Sequence, residues 1–218
     1  MWKVSVGTIF PGMFPGSLDF SCIGKERGSS WDLDVVDLRQ FALDKHKTVD
    51  DDVFGGSGGM LLKPEIAHGF FKSCESMRKI YMSPRGKLFT QAMVEDLVGR
   101  DLCILCGRYE GVDQRPIEHW NAEEISIGDY VLHGGEVAAM VLVEACLRSI
   151  VVKGHSYKDD SLSNGLLECD QYTRPAVWSV DGKEYPVPPV LLSGNHAEIR
   201  KWRNANAMEV SIKRRGLS

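Results

Sequence analysis

Two short apolar segments in the middle of the chain each run into a glycine-bearing loop. Leu102–Leu105 is continuously apolar and predicts a buried strand that ends in a turn. Glu124–Ile127 predicts a second strand, and residues 128–135 then lead into a helix that we expect to begin at Glu136. Ligands of open α/β sheets bind in the loops beyond the strand ends, and helix N-termini offer free amides there. These loops are therefore the predicted ligand site.

The rest of the chain predicts an α/β fold. Alternating apolar residues predict strands at Trp2–Phe10, Trp31–Leu38 and Ile80–Met82, and helical spacing begins at Pro64. Strands and helices in alternation are typical of a largely parallel sheet. The polar segment from Arg39 to the acidic residues at 50–52 is expected to be a loop.

The last third of the chain differs in character. Residues 155–165 are polar and predict a linker between a first domain, residues 1–154, and a small C-terminal domain, residues 166–218. Within that second domain we expect a strand at Val190–Leu192 and a helix at Ala197–Arg203, capped by the segment Ser193–Asn195.

Composition indicates a soluble protein. Hydrophobic residues make up 43% of the chain and charged residues 26%, which are globular values. The longest apolar run, Val137–Val143, is too short to cross a bilayer, and glycine and proline interrupt the N-terminal segment, so no signal peptide is expected. We expect a cytoplasmic protein that does not bind membranes.

The six cysteines favour structural roles over metal or redox chemistry. Cys103 and Cys106 form a lone CxxC, but residues three apart on a strand point to opposite faces of the sheet. The chain contains no HExxH, GxSxG or EF-hand pattern, and its six histidines are far apart in sequence. No metal site is predicted from the residues.

The glycine-rich stretch from Phe54 to Met60 fits neither a P-loop nor a Rossmann fingerprint. Either it is a flexible surface loop, or its glycines allow close approach to a ligand. Glycine loops without a Rossmann fingerprint suggest an adenine-bearing ligand held by backbone amides in another fold.

Two further features indicate partners. Residues 200–218 carry a net charge of +5 and the remaining residues −9, so this segment either contacts phosphates or forms a solvated terminal helix. The predicted helix Glu136–Arg148 is apolar nearly all the way round, which indicates burial on every side. In so small a domain we expect a partner chain to complete that burial.

Four motifs resemble the bacterial tRNA (guanine-N1)-methyltransferases of the TrmD family. They occur in the family's order and spacing, and the resemblance extends from Trp2 to about Arg203: GRYEGVD (107–113), ISIGDYVLHGGE (125–136), LLECDQYTRP (166–175) and VPPVLLSGNHAEIRKWR (187–203). The resemblance implies a SPOUT-type fold with a C-terminal trefoil knot, which the periodicity does not reveal and ordinary connection rules exclude.

The resemblance also implies an activity and its partners. S-adenosyl-methionine would donate a methyl group to N1 of guanosine 37 of tRNA, in a homodimer with active sites at the subunit interface and with no DNA partner. A magnesium requirement is implied as well, without an assigned site. The alternatives are a SPOUT methyltransferase acting on another RNA position and a non-catalytic RNA-binding SPOUT protein.

Matching positions give the expected site residues. Arg148 and Asp160 match the family's catalytic pair. The simpler interpretations are that Arg148 forms a helix-surface pair with Glu144 and that Asp160 is a solvated loop acid. The expected cofactor-binding residues are Tyr81, Met82, Ser83, Pro84, Gly107, Tyr109, Glu110, Gly111, Ser126, Ile127, Gly128, Tyr130, Leu132, Gly134 and Gly135.

Three departures from the family pattern are visible. Gly58 stands where a proline is usual, and Glu168 stands where an aspartate is usual. The chain ends at Ser218, before the further helices that the family pattern contains, so we expect an abbreviated C-terminal tRNA-binding domain.

Overall fold

The computed structural model describes residues 1–56, 58–151 and 166–215, and the chain divides into two units, residues 1–153 and 154–218. The predicted linker, residues 155–165, lies outside the described residues.

The first unit contains seven strands and five α-helices among its described residues. The strands are β1 (Trp2–Thr8), β2 (Trp31–Asp37), β3 (Asp50–Asp52), β4 (Met60–Leu62), β5 (Arg78–Leu88), β6 (Leu102–Cys106) and β7 (Glu123–Ser126). The helices are α1 (Ser21–Lys25), α2 (Pro64–Ser73), α3 (Gln91–Leu97), α4 (Gln114–His119) and α5 (Gly135–Val151), with 3₁₀ turns at Pro11–Met13, Gly16–Asp19 and Leu38–Phe41.

Five of these strands form one parallel sheet in the order β2-β1-β6-β5-β7. This confirms the predicted α/β class with a mostly parallel sheet. The sheet is covered on both faces: α5 and α3 close one apolar core, and α2 and α4 close the other. Cys106 lies in the first core and Cys103 in the second, so the two cysteines of the CxxC point to opposite faces, as predicted.

Two strand predictions need correction. Asp50–Asp52 is not a loop: it pairs antiparallel with Met60–Leu62, and the backbone N–H of Lys63 donates to the carbonyl of Val49 over 2.8 Å. The carboxylates are largely exposed on this two-stranded ribbon, so the pairing leaves no apolar pattern. The strand predicted at Ile80–Met82 extends over Arg78–Leu88, because its polar second half pairs with β7 after a register shift between Met82 and Lys87.

Helix α5 packs against β1, β5 and β6 and against α1 and α3. The buried side chains include Leu142, Val143, Cys146 and Leu147. Within one chain, however, the helix is not buried on every side. An exposed stripe, defined here as the α5 stripe, runs along it at helical spacing: Val137, Val141, Glu144 and Arg148.

The second unit begins, among its described residues, with an extended segment and a hairpin, β8 (Val177–Val180) and β9 (Lys183–Pro186). Two helices follow, α6 (Pro189–Leu192) and α7 (His196–Arg215). The strand predicted at Val190–Leu192 is wrong: Pro189 occupies the first position of α6, where its fixed φ favours a helix. Asn195, the last residue of the predicted capping segment, caps α7: its Oδ1 accepts from the N–H of Ala197 over 3.2 Å.

Helix α7 continues twelve positions beyond the predicted end at Arg203. In the described part of the chain, no helix combines the length and the apolar character needed to span a membrane. The trefoil knot stays a prediction.

Candidate active site

A cavity of about 510 Å³ lies where β5 becomes irregular and where β6 and β7 end. Three segments supply most of its wall: residues 81–85, residues 107–112, and residues 125–135 except Asp129. Leu61, Gln114 and Ala138 complete it. Its volume falls within the range of about 300–1,000 Å³ that is typical of small-molecule sites.

The structure brings all fifteen predicted cofactor-binding residues to the wall of this cavity. They are Tyr81, Met82, Ser83, Pro84, Gly107, Tyr109, Glu110, Gly111, Ser126, Ile127, Gly128, Tyr130, Leu132, Gly134 and Gly135. Ligand contact by these residues stays a prediction. The sequence interpretation missed other lining residues, among them Arg85, Arg108 and Gln114.

The loop after β6 is braced by the β3–β4 ribbon. The N–H of Glu110 donates to the carbonyl of Met60 over 3.0 Å, and the N–H of Leu62 donates to the carbonyl of Gly111 over 3.0 Å. At Gly59 a Cβ would lie 2.8 Å from Oε1 of Glu110. This glycine therefore allows close approach to the loop that lines the cavity, whereas a Cβ at Gly55 would meet nothing.

The first turn of α5 lies directly against the end of β6. The N–H of Gly135 donates to the carbonyl of Gly107 over 3.0 Å, and a Cβ at position 135 would be 2.9 Å from Cα of Cys106. Glycine is required here because the β6 backbone occupies the space that a side chain would need. A large residue at position 135 would separate α5 from the sheet before it filled the cavity.

Glu136, in the same turn, is completely buried and sits among polar partners. Its Oε1 accepts from Thr8 Oγ1 over 2.7 Å and from Arg108 Nε over 3.1 Å. Arg108 Nη2 also lies 2.9 Å from Oε2, which is ion-pair distance without hydrogen-bond geometry. The positive end of the helix dipole favours a carboxylate in this position.

The same arginine reaches the end of β1. Its Cζ lies 4.4 Å from the ring centroid of Phe10, and its Nη1 donates to the carbonyl of His133 over 3.3 Å. Arg108 therefore joins β1, the loop after β6 and the loop before α5. The only sequence signal for this arrangement was a charged residue at the start of an otherwise apolar helix.

A second ion pair stands at the rim. Arg85 Nε donates to Oε2 of Glu124 over 2.8 Å, and its Nη2 donates to Gln114 over 2.5 Å. The hydrogen bond from Arg85 holds the pKa of Glu124 below its usual value. Burial raises the pKa of Tyr81, so its phenol stays neutral at physiological pH.

Of the predicted catalytic pair, the structure describes Arg148, and it does not bring this residue to the cavity within one chain. Arg148 is exposed in the last turn of α5, thirteen positions from Gly135 at the cavity, which at 1.5 Å per residue is about 20 Å along the helix. Asp160 lies outside the described residues.

Comparison with known proteins gives the family. The model of the tRNA (guanine-1)-methyltransferase family TrmD matches residues 2–217. The chain belongs to the TrmD family. This confirms the resemblance carried by the four motifs.

Curated relatives named tRNA (guanine-N(1)-)-methyltransferase are similar to this chain over most of their length, which agrees with the family assignment. The protein from Roseobacter denitrificans is 43% identical over 225 residues, covering 99% of this chain and 92% of the relative. The protein from Rhodospirillum rubrum is 45% identical, covering 98% and 90%, and that from the Wolbachia of Brugia malayi is 42% identical, covering 99% and 94%.

Membership in TrmD means that the chain methylates N1 of guanine in tRNA, and it implies S-adenosyl-methionine as the methyl donor. The cavity fits such a group chemically. Ile127 and Leu132 offer apolar surface for an adenine ring, the glycine-bearing loops expose backbone, and the neutral Tyr81 adds a hydroxyl.

The magnesium expectation has no site in the part of the chain that the structure describes. There, no three His, Cys, Asp or Glu side chains are grouped so that they could hold a metal ion. A magnesium requirement stays a prediction of the resemblance alone.

Proposed function

We propose that this TrmD protein transfers the methyl group of S-adenosyl-methionine to N1 of the guanosine at position 37 of tRNA. One observation carries the proposal: fifteen positions that match the family's cofactor residues, spread over more than fifty residues of sequence, converge on one cavity of suitable size. If the separate motifs resembled the family only by chance, their residues would have no reason to meet at one cavity.

The three loops hold the donor in this proposal. Apolar side chains such as Ile127 and Leu132 enclose the base, and backbone groups of the glycine-bearing loops make the polar contacts. Bound S-adenosyl-methionine supplies an electrophilic methyl group on a positively charged sulfur. The protein therefore has to align the acceptor and exclude competing water.

The guanine that accepts the methyl group needs a general base and a nearby positive charge. Guanine N1 carries a proton near neutral pH, so it becomes a nucleophile only when that proton is removed, and Asp160 is the proposed general base. Negative charge then develops toward O6 of the guanine, where the guanidinium of Arg148 would stabilise it. Both roles rest on the family resemblance.

The position of Arg148 supports a shared active site. Within one chain it lies about 20 Å along α5 from the cavity, too far for one side chain to bridge. If two α5 stripes packed together in opposite directions, Arg148 of one protomer would approach the first turn of α5 in its partner. Val137 and Val141 give that stripe the apolar surface that such a contact requires. We therefore propose a homodimer in which each site uses residues of both chains.

Mapping the methylated nucleotide tests the proposed function. A tRNA transcript with guanosine at position 37, incubated with labelled donor, should acquire 1-methylguanosine at that position. A matched transcript with adenosine at position 37 should remain unlabelled. Label at another guanine, or on a ribose hydroxyl, would assign a different target to the enzyme.

A further inference from the structure

The hairpin of the second unit displays an aromatic pair. Its strands are joined by Asp181 and Gly182, both with positive φ, which is the backbone that two-residue hairpin turns prefer. Trp178 and Tyr185 are directly opposite each other in the antiparallel register. Their ring centroids are 5.5 Å apart, with an angle of 34° between the ring planes.

These two rings face outward. Trp178 is 58% exposed and Tyr185 is 44% exposed. A cross-strand aromatic pair stabilises a hairpin modestly, so the pairing alone has a structural explanation. The exposure of so much aromatic surface is a separate observation, because large exposed apolar groups mark interaction sites when they are clustered.

The two faces of the hairpin differ in charge. Side chains two apart on a strand share a face, so Val180 and Lys183 lie on the face of Trp178 and Tyr185. Lys183 Nζ lies 4.9 Å from the ring centroid of Tyr185. Glu184 lies on the opposite face, together with Ser179, its partner in the register. The aromatic face therefore carries a cation and no strand carboxylate.

We propose that this face, defined as the Trp178–Tyr185 platform, stacks on an unpaired base of the substrate tRNA, with Lys183 beside the neighbouring phosphate. The proposal rests on tRNA being the substrate and is independent of which guanine is methylated. Single-stranded RNA is bound by aromatic side chains under exposed bases combined with cations along the backbone, and the platform supplies both. A membrane or an acidic protein would not need two aromatic rings paired across the strands of one hairpin.

The first test is the affinity of the full-length protein for its tRNA. Trp178→Ala should weaken the Kd by about five- to a hundredfold, as expected for the loss of one stacked base. Trp178→Phe keeps a ring and should stay within about threefold of the parent. Val177→Ala, which shortens an exposed side chain on the other face of the same strand, is the matched control and should leave the Kd unchanged.

Salt dependence separates the two kinds of contact. Lys183→Met should lower the slope of log K against log salt concentration by about one, because a phosphate contact is lost. Trp178→Ala should leave that slope unchanged, because stacking releases no counterions. A Trp178→Ala variant that binds tRNA as tightly as Trp178→Phe overturns the proposal, and so does one that changes only the oligomeric state.

Abasic substitutions identify the base and complete the test. In a series of full-length tRNAs, each with one abasic nucleotide at an unpaired position, one substitution should weaken binding to the parent as much as Trp178→Ala does. The same substitution should not weaken binding to the Trp178→Ala protein any further, because the two changes remove the same contact. Full additivity at every unpaired position would refute stacking, and the mapped methylation site is a separate result.

Discussion

Arg108 Nε donates to Oε1 of the buried Glu136 over 3.1 Å, and this contact joins the loop after β6 to the first turn of α5. Glu136 is 28 positions from Arg108 along the chain, and 128 from Thr8, which donates to the same oxygen. Two walls of the cavity are thus fixed to each other and to the end of β1. A buried carboxylate is tolerated only when it is paired and hydrogen-bonded, and here the helix N-terminus adds to the compensation.

Gly134 leaves the space that this ion pair occupies. A Cβ at position 134 would collide with Nε of Arg108 and would lie 2.6 Å from Oε2 of Glu136. Gly134→Ala should therefore lower the free energy of unfolding by about 1–3 kcal/mol, as overpacking typically does, measured by urea denaturation. Gly12→Ala, where a Cβ would meet nothing, is the control and should change it by less than about 0.5 kcal/mol. Equal effects of the two substitutions would contradict the steric explanation.

A substitution at Leu132 can block the cavity with less disturbance of the fold than a substitution at one of the glycines that line it. The side chain of Leu132 lines the wall and is 40% exposed, so Leu132→Glu should fold normally. A carboxylate that must be desolvated on ligand binding should weaken S-adenosyl-methionine binding by at least about tenfold in calorimetry. Leu43→Glu makes the same change at an 86% exposed position that does not line the cavity. Unchanged affinity in Leu132→Glu would place the donor elsewhere.

The local pattern of apolar residues and glycines was enough to predict most strands of the sheet. Buried strands such as Leu102–Cys106 are continuous apolar runs, and glycines mark the loops that follow them. The β3–β4 ribbon was not predicted because its strands are held by backbone pairing and by hydrogen bonds to the loop after β6, while Asp51 and Asp52 are exposed and Asp50 is only half-buried. A helix replaced the strand expected at Val190–Leu192 because periodicity cannot distinguish the two in so short an apolar run.

The residues of the candidate site were likewise predicted only in part. Residues that contact the cavity through glycine-bearing loops were found, since such loops follow strand ends in sequence. Arg108 and Glu136 were not assigned a joint role, because their contact depends on how α5 returns to the sheet. That return is a long-range property of the fold, and no local spacing reports it.

The ion pair at the rim predicts a pH dependence of stability. Arg85 lowers the pKa of Glu124, so the contribution of Glu124 to stability is present above its unfolded pKa of about 4.3 and is lost as pH falls through the lower folded value. Arg85→Gln should thus be less stable than the parent at pH 7, and the difference should shrink steadily below about pH 4. Lys45→Gln, which removes one exposed charge elsewhere, should show no such convergence. A gap between parent and Arg85→Gln that stays constant down to pH 2.5 would mean that the pair does not shift Glu124.

The shared active site makes the most demanding prediction. Leu132→Glu should inactivate a homodimer by blocking both cavities, and Asp160→Ala should inactivate one by removing both proposed bases. In a mixed dimer, one site combines the intact cavity of the Asp160→Ala chain with Asp160 of the Leu132→Glu chain. Purified heterodimers carrying two different affinity tags should therefore recover up to about half of the parental activity, because one of the two sites is complete.

The control is a heterodimer in which one chain carries both substitutions and the other carries none. If Asp160 acts in the partner's cavity, each site of this control lacks one component, and it should be inactive. If Asp160 acts within its own chain, the results are reversed: the unmodified chain would keep a complete site, and the dimer with one substitution on each chain would stay inactive. Activity of these two heterodimers, measured at equal concentration with the same tRNA, therefore decides whether the distance of Arg148 from the cavity reflects a site built from two chains.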